Sequence, residues 1–150
     1  MSPHLWGRRV LIIDDDAITL AMVQQTLASE RYECLTTMNG AQGWAMTKQE
    51  APDVVITDLL LPAAHGFQVL RYIKSDPQLR QTKVILMTAS GSAQVRAEAK
   101  RLGADAYFDK PIDFVELLKT LQQLLQAPAG SAPPAPPTSV ASDEGGMVLP

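Results

Sequence analysis

The chain of 150 residues has a single cysteine, Cys34, so an internal disulfide is excluded. Cys34 lies in the apolar and threonine-rich stretch Tyr32 to Met38, which reads as a strand, and its isolation fits a reducing compartment. Basic residues are also scarce. With 13 lysines and arginines against 16 aspartates and glutamates, the net charge is −3, short of the positive balance that a nucleic-acid surface needs to neutralise phosphates. No apolar run approaches the roughly 20 residues that span a bilayer. The short run Val10 to Ile13 is cut off by three aspartates, unlike the core of a signal peptide. These absences predict a soluble, cytoplasmic protein with no membrane partner and no direct nucleic-acid partner.

What is present is enough apolar residue, 46%, to bury one sizeable core. Composition changes sharply after Gln126: from Ala127 to Pro150, 17 of 24 residues are Ala, Pro, Gly or Ser, too little apolar surface to offset the entropy of ordering. The expected organisation is an N-terminal extension over 1–7, one folded domain over 8–126, and a disordered Ala/Pro/Gly/Ser-rich tail or linker over 127–150. No helix-turn-helix pattern, basic segment or second hydrophobic core follows residue 126, so no output domain is expected within this sequence. The domain is then either free-standing or truncated from a longer protein. Met147 to Leu149 is a candidate docking segment in the tail.

Between residues 8 and 126, short apolar runs alternate with longer amphipathic ones. Val10–Ile13, Glu33–Met38, Val54–Thr57, Val84–Thr88 and Ala106–Phe108 read as strands. Runs such as Asp-Val-Val-Ile-Thr lack period-two alternation, the pattern of parallel strands buried on both faces. Helices are predicted over 17–29, 40–50, 66–75, 93–102 and 112–126, the last with an Asp113…Glu116 capping-box spacing and Gly103 placed to close the fourth. Alternating strands and helices of this length imply βαβ units, hence a three-layer α/β sandwich with right-handed crossovers.

In such sheets ligands bind outside the carboxyl ends of the strands. The first strand runs into Asp14-Asp15-Asp16, the third into Asp58, the fourth ends at Thr88, and the fifth leads to Lys110 before Pro111. Three carboxylates gathered there repel one another and raise each other's pKa unless a cation sits between them. Magnesium suits the donors: it takes one or two carboxylates and keeps other positions for water and phosphate oxygens. Lys110 offers a point charge and Thr88 a hydroxyl to a phosphoryl group. Each feature read alone has an ordinary explanation. Asp14 to Asp16 could serve as a helix cap and first turn, with Asp16 the cap residue, Asp58 as a solvated loop residue, and Lys110 as a surface lysine. Met22, Met38, Met46 and Met87 read as packing residues and His65 as a turn residue.

Taken together, Ile13-Asp14-Asp15-Asp16, Thr57-Asp58-Leu59-Leu60-Leu61-Pro62 with Gly66, Met87-Thr88-Ala89-Ser90, and Gly103-Ala104-Asp105 followed by Tyr107-Phe108-Asp109-Lys110-Pro111 resemble the receiver domain of two-component response regulators of the chemotaxis-regulator type. The resemblance covers residues 8 to about 126 and implies a flavodoxin-like (βα)5 fold with a parallel five-stranded sheet of order 2-1-3-4-5. It implies that Asp58 accepts a phosphoryl group from a sensor histidine kinase or histidine phosphotransfer protein. By the same resemblance Mg²⁺ is held by Asp15 and Asp58, by Asp14 through water, and by the backbone carbonyl of Leu60. Lys110 would pair with phosphoryl oxygens, and Thr88 would move toward them and free a space for Tyr107 to turn into. The signal would leave through the face formed by the fourth helix, fifth strand and fifth helix, toward an unknown protein target or a phosphorylation-dependent dimer.

The domain would thus catalyse its own phosphorylation and a slow autodephosphorylation without being an enzyme in the ordinary sense. Leu60 stands where it flanks the approach of water to the acyl phosphate, across from Ser90, and its side chain cannot orient that water. An aspartyl-nucleophile phosphatase would need a second acid at position 60 and room for a cap domain, and lacks both. The remaining alternative is a pseudo-receiver that docks without being phosphorylated.

Overall fold

A computed structural model describes residues 8–61, 65–89 and 91–126, and the backbone of 146–148. The expected extension over 1–7, loop residues Pro62 and Ser90, tail residues 127–145 and Leu149 lie outside the described residues. Five parallel strands, β1 (Arg9–Ile13), β2 (Glu33–Thr37), β3 (Val54–Asp58), β4 (Lys83–Thr88) and β5 (Ala106–Asp109), alternate with α1 (Ala17–Ser29), α2 (Gly40–Glu50), α3 (Gly66–Ser75), α4 (Ala93–Arg101) and α5 (Phe114–Gln126). Their order across the sheet is β2-β1-β3-β4-β5, the flavodoxin-like (βα)5 arrangement.

The central strands are buried on both faces, which is why their sequences show no alternation. On one face Leu11, Ile13, Val55, Leu86 and Tyr107 pack with Val69, Leu70 and Ile73 of α3 and Ala99 of α4. On the other, Val10, Ile12, Ile56, Ile85, Met87 and Phe108 pack with Val23 and Leu27 of α1 and Leu117 and Leu121 of α5. Each of the large aliphatic side chains contributes about 1.5–3 kcal/mol when fully buried, so both faces help fix the strands that carry the site. β1 is registered between β2 and β3, with Ile13 opposite Thr37 and Thr57, and β3 on β4 with Asp58 opposite Met87. That register carries the aspartates after β1 and at the end of β3 to the same edge of the sandwich.

Helix boundaries follow the caps. Asp16 accepts a hydrogen bond from Ile18 N at 3.2 Å, and Asp113 accepts from Val115 N and Glu116 N at 3.0 and 3.2 Å. The start of α5 therefore falls at Phe114, two residues later than the expected 112.

Two expectations change. Met87 and Met46 pack in the core, but Met22 is 48% and Met38 45% exposed. Met22 precedes the buried Val23 on α1, and Met38 follows the last residue of the edge strand β2. The second change concerns the tail, while the five parallel strands stand in the expected order 2-1-3-4-5. Residues 146–148, which composition assigns to a disordered segment, form a short strand, β6 (Gly146–Val148), antiparallel to β5, so the sheet has six strands. The reason lies in β5. As the last parallel strand it leaves a row of N–H and C=O groups that another strand can satisfy, an attraction that composition does not register.

Candidate functional site

Asp14 extends β1 by one residue, its N–H donating to the carbonyl of Thr37 at 3.1 Å. Its side chain is fully buried, and its Oδ1 accepts from the backbone N–H of Asp16 at 2.8 Å, which folds the chain into α1. Asp16 is thereby committed to capping that helix, and Asp15 between them is exposed. Asp58 ends β3, with its Oδ1 accepting from Leu60 N at 3.2 Å. Leu60 itself is 54% exposed. The close approach of α3 to this strand end requires a glycine. A β-carbon on Gly66 would stand 2.5 Å from the carbonyl oxygen of Asp58 and 2.8 Å from Cα of Leu59. His65 caps that helix through its Nδ1, which accepts from Phe67 N at 3.2 Å.

Lys110 closes the arrangement from β5. Its backbone N–H donates to the carbonyl of Thr88 at 2.9 Å, fixing the start of its side chain beside the end of β4. Its Nζ then lies 2.7 Å from Oδ2 of Asp14 and 2.9 Å from Oδ2 of Asp58. One carboxylate oxygen from each of Asp14, Asp15 and Asp58 falls within 4.8 Å of the other two. Three of the predicted acids and the predicted lysine therefore converge at one spot.

The electrostatics follow from burial and charge. Burial pushes the carboxyl of Asp14 above its ordinary value, against the opposing pull of Lys110 and the N–H of Asp16, and Asp58 adds to the rise. Burial alone would lower the ammonium of Lys110. Its bonds to Asp14 and Asp58 outweigh that, and its pKa is raised. Three carboxylates against one ammonium leave an excess of negative charge. Oδ2 of Asp14 is fully buried and has Lys110 Nζ at ion-pair distance, 2.7 Å, as its counter-charge. An all-oxygen donor set of this kind matches a hard divalent ion such as Mg²⁺.

Thr88 ends β4 at 1% exposure, opposite Asp109 of β5. Tyr107 lies apart from the acidic cluster. Its ring is buried at 2% exposure in the core face shared with α3 and α4, and its Oη has no hydrogen-bond partner among the described residues. Burial, with the Asp109 carboxylate adding to it, pushes the phenol up to about 12.

Three residues without a sequence-based assignment surround Tyr107. The Arg96 guanidinium lies 5.4 Å from the ring centroid and pairs with Asp109 at 3.3 Å, and Gly91 abuts the phenolic oxygen. Arg96 reads from sequence only as one charged position of a helix, and its relation to Tyr107 and Asp109 appears only when α4 is laid beside β5. Asp105, in contrast, fixes the entry to β5, accepting from Val84 N at 2.8 Å and pairing with Lys74 at 2.9 Å.

The chain is similar to known proteins. The model of the response regulator receiver domain matches residues 10–122. The protein PilH of Pseudomonas aeruginosa is 34% identical over 117 residues, covering 78% of this chain and 97% of PilH. The response regulator PleD of Caulobacter vibrioides is 34% identical over 116 residues, but there the match spans only 26% of the relative's length. Among solved structures, the chemotaxis response regulator CheY4 of Vibrio cholerae superposes with a TM-score of 0.74 at 31% identity, covering 79% of this chain and 99% of that one.

Proposed function

Because this chain belongs to the response regulator receiver domain family of two-component signalling, we propose that Asp58 is its phosphoacceptor and that the domain switches a protein-binding face when Asp58 is modified. The observation that carries this reading is the position of Lys110 Nζ, 2.7 Å from Asp14 and 2.9 Å from Asp58 at the mouth of an acidic cluster. A fixed cation beside a strand-end carboxylate suits capture of a phosphoryl group.

In this reading the carboxylate of Asp58 attacks the phosphorus of a phosphohistidine on a sensor kinase or phosphotransfer protein. The phosphorus–nitrogen bond breaks, the imidazole keeps the bonding electrons, and an acyl phosphate forms on Asp58. Leu60 N–H holds one Asp58 oxygen in place, leaving its remaining lone pairs to react. Lys110 would transfer its attraction from Asp58 to the phosphoryl oxygens, and the Thr88 hydroxyl would donate to another. Asp15 and Asp58 would bind Mg²⁺ directly, with Asp14 acting through water and the Leu60 carbonyl as a further ligand. When bound, the ion offsets the negative charge that builds up on the transferring group. No described helix is long and apolar enough to cross a membrane, and a cytoplasmic location suits a partner of this type.

The test is to incubate the protein with phosphoramidate or acetyl phosphate, with and without Mg²⁺, and weigh it intact. One phosphoryl group should appear on wild type with Mg²⁺, and none on Asp58→Ala. An unmodified wild type would favour the pseudo-receiver, a docking module that needs no phosphate.

A further inference from the structure

β5 is the last of the parallel strands, and an open edge of this kind accepts an extended peptide by backbone pairing. Here Gly146 stands opposite Phe108, Met147 opposite Tyr107 and Val148 opposite Ala106, antiparallel, and the same short strand runs along α5. The choice of segment has a sequence basis. Met147-Val148-Leu149 is the one run of three large apolar residues after Gln126, whereas the sequence over 133–137, with Pro133, Pro134, Pro136 and Pro137, is unsuited to a ladder. The connection over 127–145 is long enough to reach, since extended chain advances about 3.3 Å per residue. A tether of this kind presents its end at an effective concentration of about millimolar, so a pairing with a dissociation constant as weak as about millimolar is still about half populated.

We propose that residues 146–148 are a built-in cap strand, occupying the β5 edge of their own domain and closing it to any other extended peptide. β5 carries Tyr107 and leads to Lys110, so the capped edge adjoins the proposed signalling face. A partner that reads β5 by strand addition must first displace the cap. This inference does not depend on phosphorylation of Asp58.

The test uses the full chain and a double variant, Met147→Pro with Val148→Pro. Neighbouring residues of a strand direct their N–H groups to opposite sides, so the pair of prolines removes at least one ladder donor whichever side faces β5. The probe is a fluorescent synthetic peptide of residues 143–150, followed by anisotropy, with circular dichroism to check that both proteins are folded. The double variant should bind the peptide saturably and the wild type at least about tenfold more weakly, as expected for an edge already filled by a tethered competitor. Equal binding to both proteins, or binding to neither, overturns the proposal. Sedimentation supplies the second reading: a wild type that is dimeric and becomes monomeric in the double variant would place the strand on a neighbouring copy and overturn capping within one chain.

Discussion

Gly91 lies so close to the phenolic oxygen of Tyr107 that a β-carbon at position 91 would overlap it. The absence of a side chain there lets Tyr107 sit inward, with Arg96 over its ring. Gly91→Ala is therefore expected to expel the ring or strain its surroundings, at a cost of about 1–3 kcal/mol in stability. Denaturant unfolding of Gly91→Ala, Tyr107→Ala and the double variant checks the assignment. The cost of the alanine should largely vanish once Tyr107 is gone, giving a coupling between the two positions. Strictly additive effects would mean that the glycine serves something other than Tyr107.

Tyr107 also predicts a pH dependence. Its phenol is held protonated to about 12 in the fold, above the usual tyrosine value of about 10 in an unfolded chain. The raised folded value means that the contribution is fully present below pH 10 and is lost as pH rises through the interval up to 12. Thermal unfolding followed between neutral and strongly alkaline pH should show wild type losing more stability across that interval than Tyr107→Phe. Parallel curves for the two proteins would contradict the burial of this ring.

Lys110 holds two carboxylates that would otherwise repel each other in a buried setting. Lys110→Met should destabilise the domain in chelator by several kcal/mol, the scale for breaking a buried pair from one side. Mg²⁺ should restore more stability to the variant than it adds to wild type, because the ion takes over the neutralising role. Melting temperatures in chelator and in excess Mg²⁺ read both effects. An equal response of the two proteins to Mg²⁺ would place the ion away from Asp14 and Asp58.

Leu60 is exposed beside Asp58, and its side chain cannot hydrogen-bond a water. Leu60→Asn should shorten the lifetime of the acyl phosphate by about fivefold, as one added hydrogen bond of about 1 kcal/mol in the hydrolytic transition state implies. The decay of phosphorylated protein, followed by intact mass after removal of the phosphodonor, measures it. An unchanged lifetime would show that water reaches the phosphoryl group without help at position 60.

Much of this was legible in the sequence because the signals are local or serial. Unalternated strand runs such as Val54 to Thr57 mark a sheet covered on both faces, and the aspartates that follow β1 and end β3 must meet wherever parallel strands are neighbours. Contacts that depend on how helices are laid on the sheet were not legible. Arg96, Asp109 and Gly91 gather around Tyr107 only after α4 packs beside β5. The methionines illustrate the same limit: Met22 has helical spacing compatible with the core, yet Val23 and Leu27 take the buried face. The pairing of 146–148 with β5 escaped composition because it depends on an unfilled edge far along the chain.

The central claim is that the phosphoryl group goes onto Asp58, and the most direct measurement is reductive trapping. Borohydride reduces an acyl phosphate on aspartate to homoserine, which marks the modified position in a peptide map. After treatment with phosphoramidate and Mg²⁺, homoserine is predicted at position 58 and at no other aspartate. Homoserine at 14 or 15, or at none, would contradict the account.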